Sequence, residues 1–310
     1  MSNANPNRLG QIEGAGDELA LFLKTFGGEV LTAFEDENVT QGRVMERNIS
    51  SGKSAQFPAT GKIGASYHTP GTEILGQNVA HNEVILTIDG VLLSDVFVSE
   101  IDELMNHYEV RSIYSTEMGR ELGRQYDENN LRSIVLAARS SAIVTGQSGG
   151  TGLVDANFET DGAALAQGLW DAAQSMDEKN VPSERYSAFR PAQYYHLAAQ
   201  KDYMNQDWGG RGSFANADLP LVAGIRILRN NHVPDANDSA NGALPAKYQA
   251  DYSNVMGVAW SPQAAGVVKL KDMATEAQWD IRRQGHLMVA KYAVGHGPVR
   301  SDHAVEFTTI

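Results

Sequence analysis

Two short motifs between residues 49 and 62 have residue types that could support chemistry. Gly52-Lys53-Ser54 resembles the end of a phosphate-binding P-loop. A P-loop also needs a glycine five positions before its Gly-Lys pair, and a helix whose N-terminal N–H groups hold the phosphate. Arg47 occupies that earlier position, and the sequence continues as "AQFP", which favours extended structure. The P-loop interpretation therefore fails on spacing.

The second motif pairs Ser50 with Lys53 at the Ser-x-x-Lys spacing of some acylating enzymes. Activation of a serine hydroxyl would require both side chains on one face of a helix start, inside a buried pocket. Gly52 separates the two residues within a predicted hairpin, and no partner motif follows. Small polar residues and lysines on the exposed face of a projecting loop are the better interpretation.

Histidine clusters are the remaining candidates for chemistry. The eight histidines are scattered, although His286, His296 and His303 share the C-terminal tail. In a strand, His296 and His303 would point to opposite faces, and no His-x-x-x-His pair or carboxylate partner lies at helical spacing from them. The sequence therefore predicts no metal, no cofactor and no enzymatic activity.

The amino-acid composition limits the classes of function that remain possible. The chain has 310 residues, of which 42% are hydrophobic, so it can build one large domain or two or three smaller ones. The absence of cysteine excludes disulfides and thiolate chemistry. A net charge of −13 argues against DNA binding, yet it suits a protein that encloses DNA without holding it. Without a long apolar run or a signal peptide, we expect a soluble protein made in the cytoplasm.

The first 89 residues predict three kinds of structure. Residues 1–15 are rich in Asn and Gly and indicate a flexible arm. A helix follows, which we expect Gly27-Gly28 to interrupt. Its apolar residues recur at helical spacing: Leu19, Phe22, Leu23, Phe26, Val30 and Phe34. Residues 41–89 predict a long two-stranded excursion with few hydrophobic residues near its tip, so it should lie on another surface.

The rest of the chain alternates helices and strands. A proline-free stretch, residues 95–144, predicts the longest helix, with a break near residues 127–130 and charged i,i+3 pairs on its wet side. Gly146–Gly152 predicts a hinge. Beyond it the pattern is typical of a mixed α/β domain, and from Val255 onward it predicts mostly strand.

Several of these stretches resemble the major capsid proteins of short-tailed, T-seven-type bacteriophages. Residues 15–34 resemble the family's N-terminal helix segment, residues 49–62 its extended loop and residues 87–112 the entry to its spine helix. Residues 268–280 and 289–300 resemble its C-terminal strands, and "GIRILRNNHVP" is similar to a strand and turn common in phage capsid subunits. The match covers the first 115 residues and the last 50 well.

The resemblance implies an α+β protein with the Hong Kong 97-type phage capsid fold. It divides the chain into an N-terminal arm and short helix (1–40), an extended loop (41–89), a peripheral domain with the spine helix (90–146), an axial domain (147–269) and a return to the peripheral domain (270–310). It also implies that the loop residues Lys53, Phe57, Lys62 and Tyr67 contact a neighbouring subunit. Packing of the arm helix is assigned to Leu19, Phe22 and Phe26.

The implied function is a major capsid protein that self-assembles as hexamers and pentamers into an icosahedral head around double-stranded DNA. Its partners would be copies of itself, a separate scaffolding protein, a portal protein at one vertex and, optionally, a decoration protein, with no membrane. It would assemble in the bacterial host cytoplasm and reside in the virion capsid. Two alternatives stay open: a cellular nanocompartment shell of the same fold, and an enzyme that uses Ser50/Lys53 or a tail histidine.

Overall fold

The computed structural model describes residues 18–99, 110–200 and 221–310. The helices are α1 (Glu18–Glu37), α2 (Val110–Arg139), α3 (Gly162–Glu178) and α4 (Pro191–Ala198). The strands are β1 (Met45–Asn48), β2 (Ser54–Thr60), β3 (His81–Thr87), β4 (Leu92–Ser99), β5 (Thr151–Val154), β6 (Tyr186–Phe189), β7 (Arg226–Arg229), β8 (Val255–Trp260), β9 (Ala265–Asp280), β10 (Gly285–Pro298) and β11 (Ala304–Thr308). This mixture of helices and sheets is the expected α+β class.

The described residues fall into two compact units. Unit 1 contains residues 18–38, 90–99, 110–126 and 271–294. Unit 2 contains residues 39–89, 127–200, 221–270 and 295–310. The elements α2, β9 and β10 each contribute residues to both units.

Helix α1 is continuous, so the predicted interruption at Gly27-Gly28 is wrong. Gly28 is exposed, and a Cβ built there would meet nothing within 4 Å. A glycine in a helix interior costs only about 1 kcal/mol relative to alanine. The buried side chains of Phe26, Val30 and Phe34 outweigh that cost, because each removes a large apolar group from water.

Two glycines allow α2 to pack closely against α1 within unit 1. A Cβ on Gly119 would lie 2.9 Å from the Cβ of Ala33, and one on Gly123 would lie 3.1 Å from the carbonyl oxygen of Phe34. The Phe34 ring also meets the Tyr126 ring edge-on, with centroids 5.7 Å apart. Larger residues at either glycine would push the helices apart.

Helix α2 differs from its prediction at its start and in its middle. Residues Leu92–Ser99 form strand β4, paired antiparallel with β10, so the helix predicted from residue 95 is wrong there. Its Leu93, Asp95 and Phe97 side chains alternate with more buried neighbours, which is the period of a strand. The helix also runs unbroken through residues 127–130, where we expected a break.

Helix α2 has a buried apolar side and an exposed side that carries the predicted charged pairs. The residues Leu131, Ile134, Val135 and Ala138 are all buried. On the exposed side, Glu117 pairs with Arg120 and Glu121 pairs with Arg124, both at i,i+3 spacing. With 30 residues, the helix is about 45 Å long.

Within the predicted hinge at Gly146–Gly152, the chain is closely packed at Gly150. The Gly150 amide donates to the Ser140 carbonyl at 3.0 Å, and no Cβ fits at Gly150 because the backbone of Ala138 lies against it. Strand β5 begins at the next residue.

Three sheets organise the described strands. A four-stranded sheet has the order β1-β9-β10-β4, a five-stranded sheet has the order β5-β11-β8-β6-β7, and β2 pairs with β3 alone. Strand β11 lies parallel to β5 and antiparallel to β8. The C-terminal strand β11 therefore belongs to the five-stranded sheet, which lies in unit 2. The resemblance, in contrast, assigned all of residues 270–310 to the peripheral domain. The residues of β11 from Ala304 to Phe307 are buried on both faces, as a central strand requires.

The five-stranded sheet packs on α3 and α4. Their shared core includes Leu165, Leu169, Leu197, Phe189 and Phe307. Helix α3 begins where the Asp161 carboxylate accepts a hydrogen bond of 2.9 Å from the Ala163 amide. These elements match the mixed α/β pattern predicted for this region.

A buried ion pair joins the end of α2 to β11. The Arg139 guanidinium contacts the Glu306 carboxylate through Nη2 at 2.6 Å and Nε at 2.9 Å. The Glu306 side chain is only 4% exposed, whereas that of Arg139 is 34% exposed. Hydrogen bonding to this carboxylate raises the pKa of Arg139 above its ordinary value.

Candidate assembly surface

The base of the extended loop, residues 41–89, is part of the subunit core. Strands β2 and β3 pair antiparallel, with Ser54 opposite Thr87 and Thr60 opposite His81. Along β2, exposed and buried side chains alternate strictly. The buried set packs with side chains from three other segments, and together they are Ala55, Phe57, Leu86, Val268 and Val299.

This packing corrects the prediction for Phe57. Its side chain is only 4% exposed and lies within unit 2 of its own chain. The aromatic ring is therefore a core residue that anchors the hairpin, and it is not available to a neighbouring subunit.

The tip of the loop, residues 61–80, is different in character. It contains no strand, and the amide of Gly61 closes its neck by donating to the Ala80 carbonyl at 2.8 Å. Four large apolar side chains stand in water here: Ile63 (73% exposed), Tyr67 (105%), Ile74 (78%) and Leu75 (87%). An isolated subunit gains nothing from this arrangement, so the tip has the properties of a contact surface.

The predicted contact residues fall at different places. Lys62 and Tyr67 are exposed in the tip, while Lys53 is exposed at the other end of β2. In α1, Phe26 is buried, whereas the side chains of Leu19 and Phe22 lie outside the described residues.

Sequence reasoning missed three exposed apolar residues of the tip, which are Ile63, Ile74 and Leu75. Their signal was available, because large apolar residues among turn-forming Gly, Pro and Thr have no local core to enter.

The first root of the extended loop is held by a buried carboxylate. Asp127 of α2 is fully buried and accepts hydrogen bonds from the amides of Val39 (2.8 Å) and Thr40 (3.0 Å). It also accepts from the Thr40 hydroxyl at 2.6 Å and from Nδ2 of Asn230 at 3.1 Å. These bonds satisfy the buried carboxyl oxygens and fix the chain just before the loop begins.

The second root is held by two consecutive side chains, Lys247 and Tyr248. The Tyr248 hydroxyl donates to the Asp89 carboxylate at 2.6 Å. The Lys247 ammonium lies 2.8 Å from the other oxygen of Asp89 and donates to the Thr87 carbonyl at 2.9 Å. The chain is thus fixed again where the loop ends.

Asn130 and His296 connect the two roots. Nδ2 of Asn130 donates to the Thr40 hydroxyl at 2.8 Å, so its carbonyl oxygen is the acceptor for Nδ1 of His296 at 2.7 Å. The amide of His296 donates to the Tyr248 hydroxyl at 3.0 Å. We call this path from Thr40 to Asp89 the root network; its members are Thr40, Asp127, Asn130, His296, Tyr248 and Asp89.

One sign of the root network is present in the sequence and was overlooked. Asp127 and Asn130 lie three residues apart on the apolar side of a strongly helical stretch, which we interpreted as a break. Buried polar groups in that position must instead be hydrogen-bonded to something. The partners of Asp127 come from residues 39, 40 and 230, and those of Asn130 come from residues 40 and 296, which no local pattern could identify.

The root network is suited to holding structure rather than to a reaction. His296 is buried, and burial lowers its pKa to about 3, so its ring is neutral at physiological pH. Ser50, the candidate nucleophile, is exposed on the bend before β2 and lies outside the network. Among the described residues no three His, Asp or Glu side chains are grouped to hold a metal ion, and no described helix is long and apolar enough to span a bilayer.

We expect subunit stability to fall in mild acid because of the buried histidines. Burial lowers the folded-state pKa of His296 to about 3 and that of His303 to about 4, while an unfolded histidine titrates near 6.5. Below about pH 6.5 the unfolded chain binds protons that the native chain does not. Each histidine therefore removes up to about 1.4 kcal/mol per pH unit, down to its folded pKa.

Denaturant unfolding at pH 7, 6 and 5 measures this effect. His296→Gln should flatten the slope between pH 6.5 and 5, whereas His81→Gln, at an exposed site, should leave it unchanged. An identical slope in wild type and His296→Gln would contradict the assignment.

Comparison with known proteins agrees with this architecture. The Gp10A-like family, described as major capsid proteins, matches residues 56–308. The major capsid protein of Escherichia phage T7 is 34% identical, over 94% of this chain and 92% of its own length. That of Enterobacteria phage T3 is 32% identical, over 95% and 93%.

Solved structures give the same result. The capsid structure of the cyanophage P-SCSP1u is 40% identical, with a TM-score of 0.81 over 100% of this chain and 99% of that chain. A virus-like particle from Pyrococcus furiosus, 12% identical with a TM-score of 0.60 over 92% and 99% of the two chains, shares the fold alone. Sequence similarity thus favours the phage shell over the nanocompartment alternative.

The anchored hairpin, the long helix and the two units define a phage shell subunit of the Hong Kong 97 type. The chain belongs to the Gp10A-like family of major capsid proteins. The family and the fold that the sequence indicated are confirmed, and the chain is a structural component of a virion capsid.

Proposed function

We propose that this chain builds an icosahedral phage head from hexamers and pentamers of itself, around a double-stranded DNA genome. The observation that carries the proposal is the exposed tip of the extended loop. Four large apolar side chains are exposed to solvent at the end of a hairpin whose base is packed in the subunit core. A second copy of the chain supplies the surface that covers them.

The expected energy of this contact is substantial. Complete burial of one large apolar side chain contributes roughly 1.5–3 kcal/mol, so four contribute roughly 6–12 kcal/mol before the cost of ordering the loop. Each copy both gives and receives such a contact in a heterologous arrangement that closes into rings and then a shell. Many such contacts acting together stabilise the closed particle far more than any single one.

The contact residues in this proposal are revised from the sequence. Lys53, Lys62 and Tyr67 remain, and three further tip residues join them: Ile63, Ile74 and Leu75. Phe57 is removed because it is buried. The arm forms the second contact region of the subunit in this scheme. Leu19, Phe22 and Phe26 keep their predicted role in packing the arm helix, and Phe26 does so as a buried residue of its own subunit.

Other partners follow from the same role. A shell of this kind requires a scaffolding protein during assembly in the bacterial host cytoplasm and a portal protein at one vertex, and its outer surface can carry a decoration protein. The net charge of −13 supports a lining that does not hold the packaged DNA. In this proposal the subunit is a structural protein and carries out no reaction.

Electron microscopy of the chain co-expressed with its scaffolding protein tests this function. We expect closed particles of uniform diameter, and native particles that protect genome-length DNA from nuclease. Subunits that remain monomeric under these conditions, or shells that contain protein cargo in place of genomic DNA, would contradict the proposal.

A further inference from the structure

We propose that the root network sets the direction in which the extended loop leaves the subunit, and thereby selects the shell into which the copies close. This inference rests on the proposed shell function. It adds a positioning role for residues that lie outside the tip and the arm.

The network forms one continuous path between the two ends of the loop. From Thr40 it passes through Asn130 and His296 to Tyr248, with successive links of 2.8, 2.7 and 3.0 Å, and reaches Asp89 through a further link of 2.6 Å. Each of these residues except Asp89 is buried. A buried polar group that loses its partner destabilises the structure, so the members hold one another in place.

The backbone of β10 packs directly against the second root. Gly295 lies against the Thr87 carbonyl so closely that no Cβ fits between them. The next glycine on the same side, Gly297, lies against Leu86, where a Cβ would be 2.6 Å from Cδ2. Because no side chain separates the backbone of Gly295 from the Thr87 carbonyl, a shift in β10 at this point moves the second root.

A small rotation at the roots becomes a large movement at the tip. The seven residues of β2 place the neck about 20 Å from the roots. A tilt of about 10° there moves the neck by about 3.5 Å, which is comparable to a van der Waals contact distance. Whether the tip meets the correct surface on a neighbour thus depends on the root network.

Tyr248→Phe and Tyr252→Phe form a matched pair of variants. Both tyrosines are buried in the same segment, and each substitution removes one hydroxyl and keeps the ring. The Tyr248 hydroxyl contacts Asp89 and His296, whereas that of Tyr252 donates to the Tyr248 carbonyl, at 2.7 Å, and to neither root of the loop. Tyr252→Phe therefore controls for general loss of stability.

Hydrogen exchange of the unassembled full-length subunit gives the first readout. In Tyr248→Phe we expect amides of residues 84–89 to exchange on the order of tenfold faster, with little change in Tyr252→Phe. Thr40→Val, at the opposite root, should accelerate exchange at residues 40–48. Equal exchange at the roots in Tyr248→Phe and Tyr252→Phe would overturn the proposal.

Particle diameter after co-assembly with the scaffolding protein gives the second readout. We expect Tyr248→Phe and Thr40→Val to yield open sheets or particles of several diameters, and Tyr252→Phe to yield uniform shells. Uniform shells from a variant whose roots exchange faster would overturn the role in shell selection. If wild type itself forms no shell, the proposed function fails, while the exchange comparison still decides whether the network fixes the loop.

Discussion

Replacing residues 62–79 with the dipeptide Asn-Gly is expected to abolish shell closure and leave the subunit folded. The strands β2 and β3 stay in register up to Gly61 and Ala80, whose backbone hydrogen bond is suited to a two-residue hairpin turn. The buried base of the hairpin, including Phe57, is untouched. We expect a thermal unfolding midpoint within a few degrees of wild type, and no closed particles by sedimentation or electron microscopy.

The position of this cut matters. A broader deletion of residues 51–72 would also remove Ala55, Phe57 and Ala59 from the core. Loss of assembly would then follow from misfolding alone. Restricting the change to the exposed tip separates the two causes.

A side-chain version supplies the matched control. Ile63→Ser, Ile74→Ser and Leu75→Ser together should reproduce the loss of assembly. Changing three exposed polar residues of the same tip to alanine, Ser66, Glu73 and Gln77, should preserve it. Normal heads from the tip replacement would show that the tip is not the principal contact between subunits.

The largest effect on the stability of the subunit itself is expected from Arg139→Met. This change leaves the Glu306 carboxylate buried in the five-stranded sheet without its guanidinium partner. Breaking a buried pair typically costs about 3–5 kcal/mol. Because Arg139 is about one-third exposed, water screens part of the interaction, and we expect a loss of about 3 kcal/mol in the free energy of unfolding.

Arg120→Met is the control, since it makes the same change on the same helix at a pair whose side chains are 55% and 63% exposed. An exposed pair contributes little, so its loss should change stability by less than about 1 kcal/mol. The double variant Arg139→Met with Glu306→Leu should recover much of the stability, because it removes the unpaired charge. Equal losses for Arg139→Met and Arg120→Met would show that the ion pair contributes nothing.

Elements whose formation depends on residues close together in the sequence could be predicted from local patterns. The long helix α2 with its charged i,i+3 pairs follows from helical spacing, and the mixed α/β pattern beyond it follows from the local alternation of helical and extended segments. The family resemblance indicated the fold, including the extended loop. The alternation in "SAQFPAT" has a period of two that places Phe57 on the inward face, and this period is a better guide to its side chain than the expectation of a contact.

Features that depend on distant residues could not be predicted in the same way. The continuity of α1 through Gly28 depends on packing by Phe26 and Val30, which outweighs local preference. The placement of β11 between β5 and β8 depends on pairing over more than 150 residues for β5. The root network requires residues 40, 130 and 296 to meet, and no short window of sequence contains them.

The exposed tip has a consequence for inheritance. If the tip contacts a second copy as proposed, one gene encodes both the tip and the surface that receives it, and a substitution reaches every copy in a particle at once. In a cell that makes two versions of the gene product, however, subunits with an intact base and a defective tip would still enter growing shells. A minority of such copies would prevent closure of many particles, and the mutant allele would therefore be dominant over the normal one.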